Sequence, residues 1–276
     1  MAFKHSVKLE IGESGKGLLI SDLNFSFNVI RGIGSEANKA SFIVFNAKED
    51  TQNNIMKKGN YLIFSAGYED ENNIAVVFSG QIIKATTSKD GNGSQTTIEA
   101  ENYAGNKEAF AYTTLSLGYK EDSLLTNVIN DLANHLNIPV TGLQNTSIVL
   151  ENGLNHTGTV SGLIRKIKNV LKSNGCDLFF DNSEMIVYNV SSTSNFEVVR
   201  LTYASGLLKV EKKIDEEDGL YKGQIEALCL LNPKIRPRST INIDGGVVKG
   251  TYIVEKVEFS GDNFGGSFLC KIEALE

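Results

Sequence analysis

Between residues 5 and 104, and again between 196 and 276, polar and apolar residues alternate with a period of two. Only an extended chain places alternate side chains on opposite faces, so this period commits both stretches to strands with one buried face. The first stretch reads "SVKLEIG", "LNFSFNVI", "ASFIVFNA", "GNYLIFSAGY", "NIAVVFSGQIIKATT" and "QTTIEAENY"; the second reads "FEVVRLTY", "GLLKVEKKI", "LYKGQIEALCLL", "STINI", "GTYIVEKVEFSG" and "SFLCKIEAL". Gly, Asn and Asp fill the intervals, and "SKDGNGS" at 88–94 is a hairpin signal because its residues tolerate positive φ.

From residue 121 the period lengthens. In "EDSLLTNVINDLANHLNIP" the residues Leu124, Leu125, Val128, Ile129, Leu132, Ala133 and Leu136 form one helical stripe that Pro139 ends. "TVSGLIRKIKNVLKSNG" predicts a second helix with Thr159 as N-cap, Val160, Leu163, Ile164, Ile167, Val170 and Leu171 inward, and Asn174-Gly175 as its stop. "CDLFFDNSEMIVYNV" then predicts a hairpin turning at Asp181-Asn182-Ser183. The expected organisation is a β domain over 1–104, a linker over 105–120, an α+β module over 121–195 and a second β domain over 196–276.

The two β stretches share an order of parts. Each has a polar entry, a strand (Tyr61 to Phe64; Thr240 to Ile243), a turn, a Gly opening the next strand (Gly80; Gly250), a Gly/Asp/Asn hairpin and a last strand ending Ile-Glu-Ala, at Ile98-Glu99-Ala100 and Ile272-Glu273-Ala274. One β unit used twice explains this, although any two meanders share some of the pattern. Two of the chain's three prolines, Pro233 and Pro237, stand in "LLNPKIRPRSTINI" just before the second entry. Lacking an N–H and holding φ fixed, they exclude a helix or an interior strand there, so Asn232, Pro233 and Pro237 are expected to form a structural turn leading into the second copy.

With 27 Lys and Arg against 33 Asp and Glu, the net charge of -6 argues against a surface that grips phosphate backbones. Cys176, Cys229 and Cys270 make neither a disulfide framework nor a zinc knuckle. The N-terminus lacks an apolar signal region and no run reaches the ~18 apolar residues of a membrane span, so no membrane partner is expected. His5, His135 and His156 have no metal-ligand spacing, and "GTVSG" around Ser161 is not a nucleophile motif. "GESGKGLL" is not a phosphate loop, "RGIGSEA" precedes strand rather than helix, and the acidic run at 215–218 lacks the spacing of a calcium loop. No catalytic residue, cofactor or metal is expected.

The run "LTYASGLLKVEKKI…YKGQIEALCLLNPKIRPRSTINIDGG…KGTYIVEKVEFSGDNFGGSFLCKIEAL" resembles the C-terminal part of phage tail baseplate hub proteins of the late control protein D type. Its most specific parts are the Gly-Leu-Leu after a strand, the Leu-Leu-Asn-Pro-x-Ile-x-Pro segment and the Gly-Thr-Tyr-x-Val strand followed by a Gly-Asp hairpin. Many such proteins carry Pro-Gly or a lone Gly where this chain has Pro237-Arg238. The resemblance covers about the last 80 residues with fair specificity, and the rest by order of modules.

It implies a mainly β fold: two related, tail-tube-like β-barrel domains flanking a two-helix plus hairpin module. It also implies a homotrimer in the virion baseplate; no enzyme activity is expected because the catalytic motifs fail on spacing, and three cysteines without a disulfide pattern fit assembly in a reducing host cytoplasm. The trimer would join a hexameric tail tube, or distal tail tube protein, to a trimeric central spike, with the tape-measure protein and a baseplate wedge as further neighbours and DNA as passing cargo. A net acidic chain around such a channel suggests Glu99, Glu101 and Glu258 as channel-lining positions, since each faces away from apolar neighbours on its strand. Two alternatives stand beside this one: a tail-associated cell-wall hydrolase, and a virion carbohydrate-binding β module, the latter disfavoured by the absence of Trp.

Overall fold

The computed structural model describes residues 4–13, 16–33, 38–57, 59–69, 73–91, 93–102, 113–142, 147–192, 196–215 and 222–276. The first β stretch gives β1 (His5–Glu13), β2 (Lys16–Ile20), β3 (Phe25–Gly32), β4 (Lys39–Phe45), a short helix α1 (Glu49–Ile55), β5 (Tyr61–Tyr68), β6 (Ala75–Asp90) and β7 (Gly93–Glu101). The middle stretch gives β8 (Thr114–Tyr119), β9 (Ser123–Leu124), α2 (Leu125–Leu136), β10 (Val140–Thr141), β11 (Val149–Leu150), β12 (Leu154–Thr159), α3 (Val160–Ser173), β13 (Cys176–Asp181) and β14 (Glu184–Asn189). The last gives β15 (Val199–Thr202), β16 (Leu207–Asp215), β17 (Lys222–Leu230), β18 (Thr240–Gly245), β19 (Val248–Asp262) and β20 (Phe268–Leu275).

The middle stretch is a compact unit of its own. Its helices present Val128, Ile129, Leu132 and Leu163, Ile167, Leu171 to a core that Leu178 of β13 and Met185 and Val187 of β14 complete. Thr159 caps α3 by accepting a hydrogen bond from the Gly162 N–H at 3.2 Å, and Asn137, with φ 54°, ends α2. Two expectations need correcting. Leu124 is exposed and pairs with Val149 in a strand rather than joining the α2 stripe. Within the expected linker, residues 114–119 form β8, antiparallel to β12 from Leu154↔Tyr119 to Thr159↔Thr114; "TLSLGY" alternates, and Leu115, Leu117 and Tyr119 lie half-buried against the core of this unit, a strand signal that the linker reading passed over.

The two β stretches were expected as separate domains, yet they form one compact unit. Among the described residues thirteen strands make one sheet, in the order β16-β17-β20-β19-β3-β4-β7-β6-β5-β1-β2, with β18 joining β19 and β15 joining β18. The two stretches join where β3 pairs with β19, from Lys256↔Gly32 to Asp262↔Ser26. One hydrophobic core therefore runs through both, with Phe25, Phe27 and Phe42 grouped around Phe64 in the first part. The helix α1 was not expected in an all-β stretch: only Ile55 is buried, so it carries no apolar stripe to read, while Glu49 and Asp50 suit its N-terminal dipole.

The duplication is real at the level of strand order. The first part runs β1-β5-β6-β7-β4-β3 and the second β15-β18-β19-β20-β17-β16, position for position. Registers agree as well. Ile82↔Ala100 and Lys84↔Glu99 flank a bulge at Ile83, and Val254↔Ala274 and Lys256↔Glu273 flank a bulge at Glu255. The copies differ in their first strand, since β1 is antiparallel to β5 whereas β15 is parallel to β18.

That register corrects the glycine pairing read from sequence. Tyr61↔Gln81 matches Thr240↔Ile253, so Gly80 corresponds to Tyr252 and Gly250 to Phe78. In each copy an aromatic ring two residues away covers the glycine. A Cβ on Gly80 would lie 2.7 Å from the Phe78 ring, and one on Gly250 3.2 Å from the Tyr252 ring. The copies have exchanged which position carries the ring.

Candidate functional site

Three features distinguish this β unit: a charged face, the entry turns of its two copies, and its open strand edges. The residues of the charged face follow from alternation. Ile98, Ala100, Val257 and Phe259 point into the core, which turns Glu99, Glu101 and Glu258 outward. Pairing aligns them across neighbouring strands. Glu258, Ile30, Lys39 and Glu101 form one row over β19, β3, β4 and β7, and Ser260, Asn28, Ser41, Glu99 and Lys84 form the next. The structure thus brings all three glutamates to one face, around a shallow concavity of about 410 Å³ lined in part by Ile30, Lys39, Ile83, Glu99 and Glu101.

A lysine answers Glu99, and others answer carboxylates further along the sheet. Lys84 Nζ lies 3.2 Å from Glu99 Oε1, and Asn28 Nδ2 donates to Glu258 Oε1 at 2.6 Å. In the second copy Lys256 meets Glu273 at 2.9 Å, while Glu226 takes both Lys213 and, at 3.2 Å, Lys271. The hydrogen bond from Lys213 holds the Glu226 carboxyl below the ordinary carboxylate range, with Lys271 adding to the effect against the opposing cost of desolvation. The face is therefore a ladder of opposite charges, which sequence reasoning missed in taking its glutamates alone.

The prolines resolve into two successive turns. Asn232 accepts the Ile235 N–H on its carbonyl at 3.1 Å and the Lys234 N–H on its side chain at 3.1 Å, with Pro233 in the second position. Arg236 accepts the Ser239 N–H at 2.9 Å, with Pro237 second and Arg238 third at φ 69°, the left-handed value a type II turn requires. The first copy is entered the same way: Gly59, at φ 86°, stands where Arg238 stands, and Asn60 O accepts the Ile82 N–H at 2.9 Å as Ser239 O accepts that of Val254. The Arg236 guanidinium lies 4.3 Å from the Phe196 ring centroid.

Open edges are the third feature. At one end of the sheet β16 pairs only with β17, and at the other β2 pairs only with β1, among the described residues. Within the first copy, β6 beyond Ile82 pairs with β7 on one side, and its other edge has no strand among the described residues. Ile83 there is 52% exposed.

The other motifs are dispersed. His5 stacks on Phe268, His135 ends α2, and His156 Nε2 bonds the Thr159 carbonyl at 2.9 Å. Ser161 opens α3 directly after β12. No group of three or more His, Cys, Asp or Glu residues suited to a metal ion occurs among the described residues. The acidic run beyond residue 215, and residues 34–37 of "RGIGSEA", lie outside them. No described helix is long and apolar enough to cross a membrane.

A family model described as "Baseplate hub gp41" matches residues 11–274. No curated protein matches the chain. Among solved structures it is similar to a tail protein from Neisseria meningitidis MC58 (TM-score 0.69, 9% identity, covering 99% of this chain and 97% of that one). It is also similar to the prophage MuSo2 43 kDa tail protein from Shewanella oneidensis (TM-score 0.66, 11% identity, 98% and 96%). A third is an E. coli component of the type VI secretion system, itself structurally similar to T4 tail proteins (TM-score 0.64, 10% identity, 97% and 76%). At these identities the likeness is one of fold.

Proposed function

Because the chain belongs to the baseplate hub gp41 family, we propose that it is the structural hub of a tail baseplate, a homotrimer that joins a six-fold tail tube to a three-fold central spike. The observation that carries this reading is the common strand order of the two copies. Partners of unlike symmetry can share an axis only through an adapter that satisfies both. Three chains with two like units each offer six similar units to the tube and three identical chains to the spike.

On this reading the ladder of charges around Glu99, Glu101 and Glu258 faces the channel. A bore of paired charges lets DNA pass without the counterion release that would hold it. The protein acts without catalysis, in the baseplate of the virion, after assembly in the host cytoplasm. Tube or distal tube protein, spike, tape-measure protein and wedge are its neighbours.

Imaging the hub bound to tube and spike tests the reading. Three copies about the axis are expected, and six would overturn it. A turbidity assay on purified peptidoglycan should show no clearing; clearing would overturn the structural role.

A further inference from the structure

The junction between β19 and β3 is half of a pattern that one chain cannot complete. β19 of the second copy takes β3 of the first on its outer edge. By strand order β6 is the counterpart of β19, and β16 is the counterpart of β3. Both counterparts are present and neither has that partner: β16 ends the sheet, and β6 beyond Ile82 has an empty edge among the described residues.

Burial shows what is missing. Val257 and Phe259, beside β3, are fully buried, whereas Ala85 and Thr87 in the same places on β6 are half-buried and Ile83 is largely open. On β16, Leu208, Lys209, Glu211 and Lys212 are exposed.

We propose that β16 of one chain adds antiparallel to the outer edge of β6 of a second copy of this chain, continuing the sheet from molecule to molecule. It rests on the preceding reading only in requiring that copies of the chain meet; it does not depend on their number. The intramolecular junction sets the register. Ser260↔Asn28 becomes Ser88↔Glu211, and Asp262↔Ser26 becomes Asp90↔Lys209.

Charge supports that register. It sets Asp90 opposite Lys209 and opposes no like charges. A slip of two residues one way sets Lys89 against Lys212 and Asp90 against Glu211, and the other way Lys84 against Lys213. A slip of one residue turns every side chain to the wrong face. The intermolecular junction is also the more polar of the two, with Thr87 opposite Lys212 where Phe259 lies opposite Val29. Main-chain hydrogen bonds carry it, so it is weaker than its counterpart within the chain and forms at high protein concentration or when neighbours hold the copies together.

Disulfide trapping tests the register. In the full chain, Ser88→Cys with Glu211→Cys puts two exposed thiols directly opposite, within the Cα separation a disulfide spans. Ser88→Cys with Lys209→Cys moves one of them two residues along the same face, beyond that span. Oxidation of concentrated protein should give about tenfold more covalent multimer from the first pair than from the second. Equal yields, or none from the first pair, overturn the proposal. Hydrogen exchange on the unsubstituted chain provides a second readout, with amides of 86–90 and 209–213 slowing as concentration rises or as the hub assembles. A trimer seen by mass in which these amides stay fast and no Ser88/Glu211 link forms leaves the hub reading standing and removes this one. A specific link in an assembly of another copy number does the reverse.

Discussion

The ammonium of Lys256 lies 2.9 Å from the carboxylate of Glu273 across β19 and β20, and Lys84 meets Glu99 at 3.2 Å at the matching place between β6 and β7. Each pair adjoins the bulge of its copy, so the duplication extends to side-chain chemistry. Both pairs are partly exposed, with side-chain accessibilities of 44% and 31% for Lys256 and Glu273. Water screens such pairs, and Lys256→Met is expected to change unfolding free energy by less than about 1 kcal/mol in urea titrations. A larger loss would show that the pair is desolvated in the assembled state measured.

The Glu226 cluster gives a pH dependence of known sign. Its folded carboxyl titrates below the ordinary 4.5 because Lys213 and Lys271 stabilise the charged form. A group whose pKa falls on folding contributes stability that is full above its unfolded value and disappears as pH drops through the folded one. Thermal melts should therefore show Glu226→Gln less stable than wild type at pH 7, with the gap closing below pH 4.5. A gap that persists unchanged in acid would assign the loss to packing.

Two glycines should fail for different reasons. Around a Cβ placed on Gly59 there is open space, so only its φ of 86° resists substitution, and Gly59→Ala should cost about 1 kcal/mol. At Gly80 the Cβ would lie 2.2 Å from the Glu101 carbonyl oxygen, a backbone atom that cannot move aside. Gly80→Ala should cost about 1–3 kcal/mol or more and broaden the unfolding transition. If both cost the same, the crowding at Gly80 is relieved by strand movement.

Cys176, Cys229 and Cys270 are buried, and Cys229 stands opposite Cys270 between β17 and β20. Burial pushes the Cys270 thiol well above its usual range, and burial raises Cys176 as well. Thiolate is the reactive form, so native protein at pH 8 should resist alkylation over hours. All three thiols should react once the protein is unfolded. Rapid modification of Cys270 in the native state would mean that β17 and β20 separate locally.

The strands, the two central helices and the doubled β unit were legible in the chain because each rests on local chemistry. Alternation of side chains marks a half-buried strand, a stripe at helical spacing marks α2 and α3, Pro139 marks the end of α2 and Thr159 the start of α3. The turns at Pro233 and Pro237 were legible as turns, although not that Arg238 adopts the backbone conformation for which the first copy uses Gly59. Segments without such a face escaped, since α1 buries one side chain and β2 is five residues long, whereas β8 alternates and was passed over as linker.

Tertiary structure alone decided which edges meet. The bonds joining β3 to β19 are between backbone groups that every residue carries, so no side chain announces them. Alternation within a strand tells which face a residue takes and not which residue it pairs with, so Gly80 looked like the partner of Gly250 when Tyr252 occupies its place. For the same reason Glu99, Glu101 and Glu258 could each be assigned to an outer face from their own strands. Their alignment in adjacent rows, and the lysines set against the neighbouring carboxylates, required the pairing of strands far apart in the chain.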